Sequence, residues 1–573
     1  VFRANGDGTG IRQLSFGEAN EWDPAVLADG RIIYCRWDYI NRHDTIYQSL
    51  WVMRPDGTAT AHYYGNYSRS PCMITEAQSI PGSHKVVATA TDHHGHTGGN
   101  IIVIDPRLGQ EEGTPLKTMT PELSYPESGQ PQGITLTERP QHMRGRRAAT
   151  PCPLTEDIFL VAYQQENHYA IYLIDSLGGR ELIYRDARVS CFAPTPVRAR
   201  PKPPVLNTQL ADGAEMTGTF TVQDVHKSTE DIPEGTIKRL RINRIYGQPV
   251  RSKPELSLAN NEIIKGIVGT VPVNEDGSVS FRAPACIPLQ IQALDKDGMA
   301  VMTMRSLVYL QPGEAVTCVG CHESRLSTPQ NAAVPPVLQV RNIDPPAGPQ
   351  YEGGFSFVRT VQPVLDRHCI GCHGLDKTEK DVNLLAVRNG RYTTAHDSLA
   401  GHGMLTIAYR NRETGSSRPK DYFAHAGKLV KVIREKHKDR VKLPQEDFQR
   451  IVDWLDLNAQ YYGNYSHNRI EKQHPKGDGV KALRAHIAAT FGEKLAKQPF
   501  EALVNIAAPG ESRILNAPLA AQAGGWGQIA KGGWTAKTDP GYARMVELIG
   551  ACIPTMSRHD VNGTCGGGKR CSC

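Results

Sequence analysis

Short runs of apolar side chains, each four to six residues long and closed by a turn containing Asp or Gly, dominate the first two hundred positions. Ser49-Leu-Trp-Val-Met-Arg-Pro-Asp-Gly-Thr58, Asn100-Ile-Ile-Val-Ile-Asp-Pro-Arg-Leu-Gly109 and Ala170-Ile-Tyr-Leu-Ile-Asp-Ser-Leu-Gly-Gly179 repeat this theme. Gly30-Arg-Ile-Ile-Tyr34, Lys85-Val-Val-Ala-Thr89 and Ile158-Phe-Leu-Val-Ala162 supply a preceding strand in each case. Paired strands recurring every ~40–70 residues are the pattern of β-propeller blades, so residues 1–200 are expected to form such blades. Asp7-Gly8-Thr9 answers Asp56-Gly57-Thr58, which puts Val1 inside a blade. About three and a half blades are visible where at least four close a ring, and the expectation is an incomplete propeller whose upstream portion is absent.

The Pro-rich stretch 196–206 reads as an extended connector. Beyond it, alternation of apolar and polar residues resumes from Thr217 to Leu310, as in Ser278-Val-Ser-Phe-Arg282, and predicts a second, all-β domain over 207–330. From Phe355 the period becomes helical. Val361-Gln-Pro-Val-Leu-Asp-Arg-His-Cys369 and the segment 445–461 place apolar residues three and four apart, as a small α-helical cytochrome c-like domain over 350–470 requires. Residues 471–573 form a C-terminal extension, helical from Gly479 to Leu495, with a Cys-rich tail. The fold class expected is therefore mainly β with a helical C-terminal part.

Composition changes this picture little and excludes several functions. The 54 Gly and 39 Pro among 573 residues fit short strands and many turns. Sixty-five basic against 59 acidic residues leave a net charge of +6, too dilute for nucleic-acid binding. No apolar run reaches the ~18 residues of a transmembrane segment, and the first residues lack the charged and apolar regions of a signal peptide. A soluble chain whose signal peptide has been removed is expected.

The chemistry lies in two pentapeptides. Cys318-Val-Gly-Cys321-His322 and Cys369-Ile-Gly-Cys372-His373 both match C-x-x-C-H, in which two thioethers fix a c-type haem and the adjacent His ligates iron. Random placement of 13 Cys and 20 His gives about 0.01 such matches in the chain. A four-cysteine zinc ribbon is the competing reading, but the 47 residues between the pairs exceed its usual spacing. Two covalent c-type haems are expected, and with them the bacterial periplasm or an equivalent compartment. Nine further cysteines, 35, 72, 152, 191, 286, 552, 565, 571 and 573, suit disulfides there.

The second haem needs a sixth ligand, and His396, His402, Met404, His425 and His437 are the downstream candidates. Thr91-Asp92-His93-His94-Gly95-His96 places three imidazoles after a blade strand. This is either a polar blade loop or a set of catalytic residues over the first haem, with Asp92 as a proton source. An additional zinc or calcium ion is a further candidate, with the His loop and the Cys-rich tail as metal-binding segments.

Phe281-Arg-Ala-Pro-Ala, Gln292-Ala-Leu-Asp-Lys-Asp-Gly-Met-Ala, Met304-Arg-Ser and Gln311-Pro-Gly-Glu-Ala-Val-Thr-Cys-Val-Gly-Cys-His-Glu323 resemble the middle domain of the hydrazine synthase alpha subunit family. Trp454-Leu-Asp-Leu-Asn-Ala-Gln-Tyr-Tyr-Gly463 and Leu515-Asn-Ala-Pro-Leu-Ala-Ala-Gln-Ala-Gly-Gly525 look like its C-terminal part. The resemblance implies a propeller, a middle β domain with the reactive haem, and a C-terminal domain whose haem has two His ligands and moves electrons. It matches His437 to the second of those ligands. The family pattern has a Tyr four residues after the first motif His, as the proximal ligand. Here that position is Leu326, so His322 is expected as an ordinary axial ligand.

The function implied is a periplasmic redox enzyme acting on a small inorganic nitrogen or oxygen species at the first haem, with electron transfer through the second. Other cytochrome or redox subunits of a larger complex are the expected partners. A pure electron-transfer cytochrome and a haem-bearing scaffold subunit are the alternatives.

Overall fold

A computed structural model describes the chain apart from residues 19, 39–46, 95–96, 127–145, 166, 248–255, 260–262, 322–338, 375–377, 409–417, 467–468, 530–531 and 555–573. The fold is mainly β, with a helical C-terminal region.

The N-terminal part contains three successive four-stranded antiparallel meanders, the blade unit of a propeller. They comprise strands 21–26, 32–37, 48–53 and 61–64; then 73–79, 86–91, 100–104 and 116–118; then 148–153, 158–164, 169–175 and 180–184. A single parallel pairing, Gln48 with Met73, joins the first two blades into one sheet. The described strands do not close a ring. Asp7 and Asp56 serve equivalent turns: each carboxylate accepts from the backbone N–H and the hydroxyl of the Thr two residues on, at 2.9 and 2.7 Å for Asp7 and 3.0 and 2.6 Å for Asp56.

The first strand of each blade carries a bulge where the register slips. At each bulge a non-glycine residue takes the left-handed conformation: Asp23 at φ 52°, Glu76 at 56° and Thr150 at 47°. These strained residues link the blades. The Glu76 amide donates to the Asp23 carboxylate, the Thr150 amide to Glu76 Oε2 at 2.6 Å, and the Ala193 amide to Thr150 Oγ1 at 3.0 Å. Ala193 is itself left-handed, at φ 52°. Each inner strand thus hands an acceptor to the next, which over-determines a conformation that would otherwise cost about 1–3 kcal/mol per residue.

The middle domain packs a three-stranded sheet, in the order 279–284, 217–222, 315–318, against a four-stranded one, in the order 265–272, 239–245, 289–294, 300–303. Phe220, Ile242, Val271, Phe281 and Leu289 fill the space between them. In the C-terminal part, helix 445–456 buries Phe448, Ile451, Val452 and Leu455 beside Phe357 and Val361, in and just after the short helix 357–360 that leads towards the second motif. Helices 477–491 and 540–552 pack together as a separate apolar cluster. No described helix is long and apolar enough to cross a membrane.

Two contacts fix the frame around the motifs. Arg241 of the middle sheet reaches Asp456 at the end of helix 445–456. The N-terminal part grips the turn 311–314: Gln311 Nε2 donates to Leu14 O at 2.8 Å, and Glu314 accepts from the Ala59 amide of the first blade at 2.7 Å.

Candidate functional site

The second C-x-x-C-H motif continues directly from helix Gln362–His368. Pro363 lies in the first turn of that helix, where an N–H would have no partner. The motif itself forms one further turn, with the amides of Cys372 and His373 both donating to Cys369 O at 3.1 and 3.0 Å. Cys372 is exposed and Cys369 half-buried against the helical core. Burial, then the charge of Asp366, pushes the Cys369 thiol up to about 12.

His373 Nδ1 lies 3.1 Å from Val382 O, and His437 Nδ1 lies 3.1 Å from Val432 O. A ring that donates from Nδ1 presents its Nε2 lone pair to a metal, and such backbone partners fix both tautomer and orientation. The two ring centroids are 6.1 Å apart, with planes at 44°. Imidazoles on opposite sides of one metal, with bonds of about 2.0–2.1 Å and ring centres about 1.1 Å past the nitrogen, stand about 6.3 Å apart. The residues present therefore fit a haem iron held between two histidines. His437 reaches this position through a π-type turn, Val432–Lys436, that follows helix Lys428–Lys431. Such widened turns re-aim the next side chain and concentrate at functional sites.

The other candidates for a sixth ligand are engaged elsewhere. His425 pairs with Asp295 of the middle domain at 3.1 Å. His402 is exposed, its Nδ1 2.8 Å from Ser398 O. Met404 packs at the edge of the helical core. His396 is buried among Phe357, Tyr392, Trp454 and Tyr461, and desolvation holds its pKa below the usual imidazole value.

The first motif begins at the end of strand Ala315–Cys318, which runs parallel to strand 217–222. Its backbone lies along the loop after that strand: Gln223 and Asp224 donate to the carbonyls of Cys318 and Val319, and the Cys321 amide donates to Lys227 O at 2.7 Å. A Cβ on Gly320 would lie 2.2 Å from Lys227 O, so the motif needs glycine there. His322 and Leu326 lie outside the described residues.

The profile of the hydrazine synthase alpha subunit middle domain matches residues 235–323, a span that ends on the first motif. Hydrazine synthase subunit alpha of Kuenenia stuttgartiensis is 26% identical over 437 residues, covering 54% of this chain and 53% of that protein. A solved structure of Kuenenia stuttgartiensis hydrazine synthase superposes with a TM-score of 0.56 at 18% identity, over 79% of this chain and 71% of that one. The chain is thus similar to the hydrazine synthase alpha subunit in its middle domain and over about half of its length. At 18% identity the structural likeness shows the shared fold, and the chain spans about half the length of the curated relative it matches.

The loop after strand 86–91 is tied to the blades on either side of its own. Asp92 is buried and paired with Arg147 at 2.8 Å. His93 stacks edge-on against Trp37 and His94, with ring centroids 4.7 and 4.4 Å away, and its Nδ1 lies 2.9 Å from Gln48 Nε2. His96 lies outside the described residues. These contacts hold Asp92, His93 and His94 between the first blade and Arg147 at the start of the third.

Among the described residues, Cys35, Cys152, Cys191 and Cys552 form no disulfide. Cys35 and Cys552 are buried in separate cores, where burial pushes both thiols up. Cys565, Cys571 and Cys573 lie outside the described residues. Among the described residues no cluster of three or more His, Cys, Asp or Glu is arranged to hold a further metal ion. The π-type turn, the clamp on 311–314 and the carboxyl of Asp366 are features the sequence pattern did not single out. Only Asp366, polar on the apolar side of a helical period, carried a signal.

Proposed function

We propose that this chain is a periplasmic dihaem c-type redox protein, working as one subunit of a larger enzyme complex on a small nitrogen or oxygen species. The observation that carries the reading is the pairing of His373 with His437, each with its Nδ1 at a backbone carbonyl and the rings 6.1 Å apart. Cys369 and Cys372 would hold one haem by thioethers between those rings. Cys318 and Cys321 would hold the other, with His322 as its axial ligand. A haem supplies one-electron chemistry, tuned by axial ligands, second-shell hydrogen bonds and burial.

The chain's own residues then divide the work. The Val382 and Val432 carbonyls orient the two imidazoles and make them stronger donors to the metal. Two imidazoles suit reversible electron transfer at a potential below that of a His/Met pair. At the first motif, no His or Met occurs between Glu323 and Gln350, so the nearby chain supplies no sixth ligand and leaves a coordination position for substrate. The similarity supports the enzymatic reading, and the relative's name, that of one subunit, supports assembly with partners.

Haem quantification and optical spectra of the purified protein test this. Two covalent haems per chain are expected, one low-spin and inert, the other open to CO when reduced. Loss of both haems on acid-acetone extraction overturns the reading. Two low-spin haems that both refuse CO indicate a plain electron-transfer protein instead.

A further inference from the structure

Behind the second motif lies a cavity of about 60 Å³, walled by the motif's helix, the hairpin 388–393, Tyr461 and Tyr462, and the segment 500–507. At about 10–15 Å³ per water it has room for about four. Its walls carry buried oxygens with no donor: Gln362 Oε1 and Glu471 Oε2 have no hydrogen-bond partner. Asp366 lines the same cavity and is buried. One of its oxygens accepts from Gln362 Nε2 at 2.9 Å. On its helix Asp366 precedes Cys369 by three residues, which places the two on neighbouring turns of one face. It is near enough for its charge to raise the Cys369 thiol pKa.

Given the haem assignment above, on which this rests, we propose that Asp366 is a redox-linked proton site: its carboxylate binds one proton, delivered through the cavity, for each electron that reduces the haem at Cys369 and Cys372. The balance is simple. One electron from a one-electron donor converts ferric to ferrous iron, and one proton from bulk water converts the carboxylate to the acid. No bond to iron forms or breaks, and the net charge of the site is unchanged. The driving force is electrostatic, because a buried carboxylate beside the motif is stabilised by the extra positive charge of ferric iron and loses that support on reduction.

The surrounding charges leave this role to Asp366. Desolvation pushes its carboxyl up to about 7, against an opposing contribution from Arg513 on the short helix packed alongside. From helix 445–456, Asp447 and Arg450 pair with each other, and Asp447 also pairs with His368. Arg359, on the preceding turn, lies over the Tyr351 ring. Arg388, Arg391 and Glu501 complete the charged cavity wall with Glu471, whose other oxygen accepts from Ser356.

Spectroelectrochemical titration of the second haem in the holoprotein, from pH 5 to pH 9, tests the proposal. In the wild type, each tenfold fall in proton concentration between the carboxyl's ferric-state and ferrous-state pKa values should lower the midpoint potential by up to about 59 mV, with flat limbs on either side. Asp366→Asn should keep the two-histidine spectrum and flatten that dependence. Asp366→Glu should retain it with a displaced midpoint. A flat wild-type profile, or an undiminished slope in Asp366→Asn, overturns the proposal. Absence of covalent haem at Cys369 and Cys372 would instead defeat the haem assignment, and the haem content of the same sample distinguishes the two failures.

Discussion

Arg241 Nη1 and Asp456 Oδ2 lie 2.9 Å apart, both fully buried, between the middle β domain and the helix that packs beneath the second motif. The same guanidinium reaches Asp453, and the Asp456 carboxylate also accepts from the Ala300 amide at 2.9 Å. One charge cluster therefore fixes the middle domain relative to the helical domain. Removing one member of such a cluster strands the others in a low-dielectric interior. Arg241→Ala should destabilise the protein by about 3–5 kcal/mol, read as a lower unfolding midpoint in denaturant. Arg241→Met combined with Asp453→Leu should recover part of that loss, but not all, because Asp456 keeps backbone donors to satisfy.

On the proposed haem assignment, His437→Ala should leave the second haem attached through Cys369 and Cys372 and should abolish its low-spin two-histidine spectrum. His437→Met should restore a six-coordinate iron at a higher potential. An unchanged spectrum in His437→Ala would move the ligand to another side chain.

Replacing Cys318 and Cys321 together with Ala should remove one haem of two, and with it all CO binding by the reduced protein. The matching change at Cys369 and Cys372 should remove the other haem and leave CO binding in place. Haem stoichiometry and CO difference spectra read both outcomes.

Glu76 sits in the chain of acceptors that links the blades, and burial pushes its carboxyl up. Glu76→Ala leaves the Thr150 amide and the Thr89 hydroxyl without their acceptor, at a cost of about 1–3 kcal/mol. Glu76→Gln keeps an oxygen there and cannot ionise. A carboxyl whose pKa is raised by folding contributes stability that is present at low pH and lost as pH rises through the folded value. At pH 7 the Gln variant should therefore be at least as stable as the wild type, as thermal unfolding will show.

The same sign applies to Asp366, with a wider window. Its ordinary carboxyl value lies near 4 and its folded value is about 7, so stability from this group falls between those limits by up to about 4 kcal/mol and levels off above them. Asp366→Asn should match the wild type near pH 4 and exceed it at pH 8. Paired unfolding curves at the two pH values check this.

Much of this was already legible along the chain. Blade strands, their Asp-Gly turns and the two C-x-x-C-H motifs are local features: a strand shows in the alternation of its own residues, and a C-x-x-C-H motif in five consecutive positions. Even the equivalence of Asp7 and Asp56 could be read, because an Asp that bonds its own backbone two residues on carries its geometry with it. Among five candidates for a partner of His373 the resemblance singled out His437, but only the structure brings its ring to 6.1 Å from that of His373, after a π-type turn at 432–436 and across a separation of 64 residues. The helix 540–552 and the links through Asp23, Glu76, Thr150 and Ala193 were equally hidden. Each of these depends on which distant groups remain unsatisfied once the core has closed. Hydrophobic periodicity encodes what a segment buries, whereas the direction of a single imidazole or the pKa of Asp366 is set by neighbours that only the tertiary fold brings within a few ångströms.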